Sequence, residues 1–411
     1  MEEPRLVVGR PVSSRWPRRG LLTVLLPALA VVLVGGAVLA RSGNAALPAE
    51  RIVTLEGRMA SKRDFFEDPE VQRILLRHHI RLHITSAGSR EVAVRDLSAY
   101  DFVFPSGQPA GDLITNRRAA ENKYAKVHRP FVSPIVLATY REYAETLRDA
   151  GIATPQPGAS AAADPDQPLY YELDMSKFLA GIDNGRRWNE LGIQAHGISN
   201  ANRIVVQSPD VCQSNSAGTY LALVSYTWRG NGSEVPATDQ EADDRARSIK
   251  HLMEQGLPAD DVFRTYISPE GKGIAPLVVA YEHQYLTYQA QVQAESKRLD
   301  TQRVLLYPST QFVTQPEFIA LNREGDRLGE LLTHDSGLRR RAMELGFRIL
   351  DPAGKVAGDQ LTHFLEERRI PVPSVGGNDT RSPLPRIRYL ERMISLIGEC
   401  PDIDVPGGYP E

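Results

Sequence analysis

Twenty consecutive residues without a charged or amide side chain, Leu21 to Ala40 (LLTVLLPALAVVLVGGAVLA), constrain this 411-residue chain more than any other feature. At helical rise that length spans the hydrocarbon core of a bilayer. Arg5, Arg10, Arg15, Arg18 and Arg19 precede it against Glu2 and Glu3, and only Arg41 follows closely. The positive-inside bias then keeps residues 1–20 in the cytoplasm and exports the remainder. Val38 and Ala40 also form a passable small-residue cleavage site, so a removable signal peptide is the rival reading, although the apolar run is longer than a usual signal core. A buried core helix does not fit Arg-rich flanks around a run with no amphipathic period. No later segment approaches this length without charges, which excludes a polytopic transporter. The expected location is the cell membrane, single-pass, with the C-terminal part extracytoplasmic.

The chain holds 48 Lys and Arg against 51 Asp and Glu, and five of those arginines lie before residue 21. The expected exported part is therefore mildly acidic and offers no electrostatic footprint for nucleic acid. Its roughly 370 residues exceed one compact core and predict two lobes or domains. Cys212 and Cys400, the two cysteines, would sit in a compartment that permits disulfides. A bridge between them would tie the middle of the chain to its tail; two buried free thiols are the alternative. Two cysteines cannot make a structural zinc site unaided.

After a short Ala/Pro linker over 45–50, apolar strand-like runs alternate with amphipathic helical ones, the pattern of an α/β fold with mainly parallel strands. Arg51 to Leu55 reads as a strand, Glu56 to Lys62 as a loop, and Asp64 to His78 as a helix that Asp68-Pro69 resets. Ile80 to Thr85 is a second strand, followed by Ser86-Ala87-Gly88-Ser89 and a helix from Arg90. A third strand, Tyr100 to Phe104, ends in Pro105-Ser106-Gly107. Phe131 to Leu137 leads into a helix over 139–150, and 154–168 reads as a flexible surface insertion rich in Pro, Ala and Asp. Further strands are expected at 203–207, 277–280, 303–307 and 317–321, and a last helix at 386–398.

Three times a short hydrophobic strand runs into a loop of Ser, Gly and Ala. In open α/β sheets such loops gather at the strands' C-terminal edge, where ligands bind. Loops that open helices present free backbone N–H groups, and Ser hydroxyls add donors that satisfy oxygen atoms without net charge. For any one loop, helix capping and turn formation explain the same residues.

Several pieces taken in order resemble the extracytoplasmic solute-binding proteins of bacterial ABC transporters, of the two-lobed type II class that includes molybdate and phosphate binders. They are GRMASKRDFFEDPEVQ, the TSAGSRE loop at 85–91, VSPIVLAT at 132–139 and DMSKFLAGIDNGRRWNELG at 174–192. QSPDVCQSNSAGTY at 207–220, APLVVAYEHQYL at 275–286, LLYPSTQFVTQPEFIALN at 305–322 and HDSGLRRRAMELGFRI at 334–349 complete the set. The resemblance implies a periplasmic-binding-protein-like α/β fold after one transmembrane helix, with a first lobe over 51–134, a second over 135–304, and a return with C-terminal tail over 305–411. The family pattern is broken at Cys212, Gln213 and Ala217 and by the 154–168 insertion. No lipobox Cys follows the hydrophobic segment, so attachment would be by the helix itself.

By that carry-over, Arg58, Ser61, Ser86 and Ser89 would line the cleft from one lobe, and Ser214, Asn215, Ser216 and Tyr281 from the other. Hinges at Ser133-Pro134 and near Leu305 would let the lobes close. Ser, Asn and helix N-termini suit a small anionic or oxygen-rich ligand, with Arg58 neutralising charge. Arg58 could instead pair with a surface carboxylate, and Glu282 is read as a first-turn charge favoured by the helix dipole. His78, His79 and His83 fall on a helix end and a strand and lack further ligand spacing for a metal. The chain has no Gly-x-Ser-x-Gly elbow, His-Glu-x-x-His or Walker A loop, and no His is placed to serve Cys212 as a base. The expectation is a membrane-anchored solute-binding protein, not an enzyme, without a cofactor, partnered by a permease. The alternative is an anchored cell-envelope interaction module on the same fold with no transported solute.

Overall fold

The computed structural model describes residues 51–59, 63–160, 166–228, 235–253, 261–309, 313–314, 316–351, 354–374 and 385–400. Positions 21–40 lie outside the described residues, and among those described no helix is long and apolar enough to cross a membrane. Val53 to Glu411 form one compact unit. It is mixed α/β, built on two sheets.

The first sheet has the order β2 (Ile80–Ser86), β1 (Val53–Met59), β3 (Phe102–Phe104), β11 (Phe318–Ala320), β4 (Lys126–His128). β1 pairs parallel with β2 from Val53↔Ile80 to Met59↔Ser86 and with β3 from Gly57↔Phe102 to Met59↔Phe104. Parallel neighbours need helical crossovers. The first is two helices, Arg63–Glu67 and Pro69–Arg77, broken as expected at Asp68, whose Oδ1 accepts from Glu70 N (3.0 Å) and Val71 N (3.2 Å). The second is Ser89–Val94. Leu55, Gly57 and Met59 are buried along one side of β1. Any Cβ at Gly57 would collide with the Phe102 ring, so glycine is what lets that ring lie against the strand. β1 therefore runs through Met59, and the loop expected from Glu56 begins later, since alternation of buried and exposed residues continues over GRM.

The crossing strand β5 (Phe131–Tyr140) is buried at all ten positions. Its first half pairs with β12 (Arg348–Ile349) and β10 (Val313–Thr314), and its second half with β8 (Leu277–Tyr281) and β9 (Arg303–Pro308). β7 (Tyr170–Leu173) lies parallel to β9, and β6 (Ala153–Pro155) antiparallel to β7. The expectation of mainly parallel strands thus fails here: every partner of β5 is antiparallel to it, because the chain leaves along this one strand and each later strand passes it on the way back. β9, with Leu305, still belongs to this second sheet, so the chain returns to the first sheet only after Pro308. The stretch expected as a free insertion is pinned at its start: it forms β6, and Gln156 exchanges hydrogen bonds with the Ser374 backbone (3.0 and 2.9 Å). Positions 161–165 within it lie outside the described residues.

Among the described residues, two helices of eight or more residues escaped the sequence reading. Gln108–Ala120 has Gly107 as its N-cap, no side-chain cap and a weak apolar stripe, and Gln360–Glu367 follows a Gly-rich stretch. The anticipated last helix at 386–398 appears as Ile387–Gly398, and the strand at 277–281 leads into a helix Glu282–Ser296.

Candidate ligand-binding crevice

A crevice of about 590 Å³ opens between the two sheet-centred halves. From the first come Ser86 to Ser89 after β2, Ser106 after β3, and Arg63 with Asp64. From the second come Ser208 to Asp210, Gln213, Ser214, Ser216, Asp261 to Phe263, and Val279 to Tyr281 with Gln284. The walls are strand ends and the helix starts that follow them. Ser89 and Ser214 therefore share one cavity.

Of the candidate residues, Ser86, Ser89, Ser214, Ser216 and Tyr281 line it. Ser89 is 1% exposed, and its hydroxyl accepts from Ser106 N (2.9 Å), so it ties two strand-end loops together. Ser214 begins the thirteen-residue helix Asn215–Thr227 without a side-chain cap; its hydroxyl shares a hydrogen bond with that of Ser216 (2.9 Å). The first-turn N–H groups of that helix lack intrahelical acceptors, and Ser214 and Ser216 at that end line the cavity. Asn215 is buried behind the wall, its Nδ2 on Thr219 Oγ1 (3.3 Å). Burial pushes the pKa of the Tyr281 phenol up, against the neighbouring Asn215 and Ser216 side chains, which lower it. Asn215 thus meets the site through Tyr281.

Arg58 is elsewhere. Because β1 continues through Met59, Arg58 points to the side of the strand opposite Leu55 and Met59, donates to Glu91 Oε1 (2.9 Å) and lies over the Tyr100 ring (5.7 Å). Its expected charge-neutralising place in the cavity is not taken. Ser61 lies outside the described residues.

Among the described residues three carboxylates stand on the walls, and the sequence reading gave none of them a place in the site. Asp210 accepts from Cys212 N (2.8 Å) and Gln213 Nε2 (3.0 Å), and Asp261 caps its helix through Arg264 N (2.9 Å). Asp64 lies in the first turn of its helix. The lining cation, Arg63, is 3.2 Å from Glu67. Cap chemistry, Asp three residues ahead of a backbone donor, was the signal available for Asp261.

Behind Tyr281, Glu282 is fully buried and accepts a two-point grip from Arg348 (2.7 and 2.8 Å) and the Tyr307 hydroxyl (2.8 Å). It stands in the first turn of its helix, as expected, and β12 brings Arg348 to it as a partner as well. Ser133, the expected hinge, accepts from His283 N (3.1 Å), and Pro134 pairs with Val313. Cys212 and Cys400 are joined by a disulfide.

His78 meets Asp335 (3.0 Å) and His83 meets Glu56 (2.5 Å), as separate pairs. A different trio, His128, Asp326 and Glu330, gathers ligand-type atoms within 4.8 Å. The Lys126 ammonium already stands among them, 2.9 Å from Asp326 and 2.8 Å from Glu330.

No family model matches the chain, and no curated protein sequence matches it. Among solved structures it is similar to the sulfate-binding protein SubI from Mycobacterium tuberculosis H37Rv, at 13% identity over 78% of this chain and 92% of that one, TM-score 0.40. It is similar to iron-bound HitA from Pseudomonas aeruginosa, at 11% identity over 84% and 98%, TM-score 0.46. It is also similar to the periplasmic binding protein AfuA from Actinobacillus pleuropneumoniae with fructose-6-phosphate bound, at 10% identity over 84% and 97%, TM-score 0.47. At these values the likeness is one of outline and is silent on what this chain binds.

Proposed function

We propose that the chain is an extracytoplasmic solute-binding protein, a binder and not a catalyst, that holds a small oxygen-rich molecule in the crevice for transport or sensing. The convergence of strand-end loops from both sheets, carrying Ser86, Ser106, Ser208, Ser214 and Ser216, supports this reading. Hydroxyls and helix N–H groups can surround a guest's oxygen atoms. Among the described residues, Asp64, Asp210 and Asp261 face the same space with Arg63 as the lining cation. That balance favours a guest with hydroxyl donors, a polyol or sugar, over the bare oxyanion that was the other expectation, since carboxylates accept hydroxyl protons and repel anions.

Anchoring by residues 21–40, export of the rest, and a permease as neighbour belong to the same proposal. The Cys212–Cys400 disulfide supports an oxidising location. The lobes would be 51–134 and 135–304 with a return over 305–411, the second extended through Pro308 to keep β9 in its sheet.

Thermal unfolding of the full-length chain against separate panels of polyols and monosaccharides and of sulfate, phosphate and molybdate tests the reading. A ligand at about a hundred times its Kd adds about 2.7 kcal/mol. Stabilisation by a hydroxylated compound, abolished by Ser214→Trp, is expected. Stabilisation by oxyanions alone would overturn the ligand class, and a Ser214→Trp variant indistinguishable from wild type across every compound would overturn solute binding.

One observation favours the second reading, an envelope interaction module. The Gln213 carbonyl lies against Gly88, where a Cβ would be 2.6 Å away, so part of the crevice's edge is filled by the protein's own backbone.

A further inference from the structure

The helix Ile387–Gly398 belongs to both halves of the molecule. Ile387 is buried with Val92, Leu113 and Ile319 on one face of the first sheet, while Leu390, Met393 and Ile394 are buried in the core of the second. On the second half it is mounted firmly. It runs parallel to Asp239–Ile249, and three ion pairs at one constant register join the two segments: Arg388–Asp239 (2.6 Å), Arg392–Asp243 and Lys250–Glu399 (2.8 Å). Ile394 fits over Gly218 of the Asn215–Thr227 helix. Just past its end, Cys400 is bonded to Cys212 on the crevice loop.

Its hold on the first half is narrow and buried. Arg90, on the helix that follows Ser89, is 4% exposed and pairs with Glu391, whose side chain is 5% exposed. Arg90 Nε donates to Glu391 Oε2 (2.7 Å), Nη1 donates to the Cys212 carbonyl (3.1 Å), and the backbone N–H donates to the Gln213 carbonyl (3.0 Å). One residue thus grips both the C-terminal helix and the loop that the disulfide ties to that helix. Moving the halves apart would break all three bonds at once and uncover Ile387. Inside the low-dielectric contact the pair is strong, and losing one partner leaves the other charge buried alone.

We propose that this helix is a strap, latched by Arg90–Glu391, that holds the crevice closed, so that access to it is set by release of the latch and not by free hinging at Ser133-Pro134. The purpose of the latch rests on the crevice being a ligand site; its existence does not, and no ligand enters the test.

Spin labels at Gln72→Cys and Ala180→Cys, exposed positions on helices Pro69–Arg77 and Met175–Asp183, report the separation of the halves in the full-length chain. The latched protein gives one narrow distance distribution. Glu391→Leu, which strands the Arg90 cation, adds a second, longer population, and the pair Arg90→Met with Glu391→Leu, which removes the latch without leaving a buried charge, does so too. Should Glu391→Leu not fold, Glu391→Gln carries the same expectation with shape preserved. Two populations in the unaltered latch, or a folded Glu391 variant with an unchanged single distance, overturns the proposal.

Discussion

The two halves fill their cores with aromatic rings of different chemistry. Around the first sheet, Phe65, Phe66, Phe102, Phe104, Phe131, Phe318 and Phe347 pack together, with Phe102 stacked on Phe318 at 4.9 Å and Phe65 edge-on to Phe66 at 5.0 Å. Around the second, Tyr140, Tyr170, Tyr266, Tyr285 and Tyr307 are buried, and each hydroxyl donates to a stated acceptor: the carbonyls of Tyr266 (2.5 Å), Pro371 (2.9 Å), Thr139 (2.7 Å) and Arg303 (2.6 Å), and Glu282 (2.8 Å). Phenylalanine packing is cohesive and weakly directional, whereas a buried phenol that finds an acceptor is fixed in direction, as these five are and Tyr220 in the same core is not. The first core therefore specifies volume, and the second specifies position. That difference suits a sheet whose strands all register against one crossing strand, β5.

Two buried glutamates, Glu282 and Glu317, repeat the contrast. Both Glu282 oxygens are engaged by Arg348. Glu317 Oε1 accepts from Arg129 Nε (2.9 Å), while its Oε2 is buried without a partner. Burial pushes the Glu317 pKa up to about 7; Arg129 opposes the rise and the Asp112 carboxylate adds to it.

The largest effect should come from breaking the position-specifying core at its anchor. Arg348→Ala strands Glu282 and should cost roughly 3–5 kcal/mol in urea unfolding, whereas Arg348→Met with Glu282→Leu should recover most of it. Equal costs for the two would mean that charge pairing does not hold the second core. Next is pH. The folded Glu317 binds its proton more tightly than the unfolded chain, whose value is near 4.5. Its stabilising contribution is therefore complete below about pH 4.5 and falls, by up to roughly 3 kcal/mol, as pH rises through about 7. Unfolding free energy followed from pH 5 to 8 should lose this decline in Glu317→Gln; a slope identical to wild type would show that the carboxyl does not titrate there.

Smaller effects compare the rings themselves. Phe66→Leu exchanges one apolar shape for another and should cost less than about 1.5 kcal/mol. Tyr266→Phe removes a hydroxyl and leaves the Thr139 carbonyl short of a donor, a loss of about 1 kcal/mol by thermal unfolding. If Tyr266→Phe is neutral while Phe66→Leu unfolds the chain, the assignment of volume to one core and position to the other is inverted.

Much of the first half could be read from local pattern. IRLHIT and RIVTL alternate at the strand period, Asp68-Pro69 marks a helix start, and the Ser-Gly loops after β2 and β3 stand where open sheets place their ligand edges. Arg58 was misplaced because the strand runs four residues past Leu55, through Met59, and the alternation of side-chain direction puts Arg58 on the side opposite Leu55 and Met59. The antiparallel partners of β5 were unreadable for another reason: a strand buried on both faces shows a continuous apolar run whatever its neighbours' direction.

By itself, the sequence determined the alternation of strands and helices, the loops rich in hydroxyl donors, and the apolar run at 21–40, because these depend on neighbours a few residues apart. Only the tertiary structure decided that Ser89 and Ser214 share a cavity, that Glu282 is held by Arg348, and that Arg90 meets Glu391 across 301 positions of chain. Those contacts are fixed by how the sheets pack around β5 and by where the last helix comes to rest, and no local pattern records either.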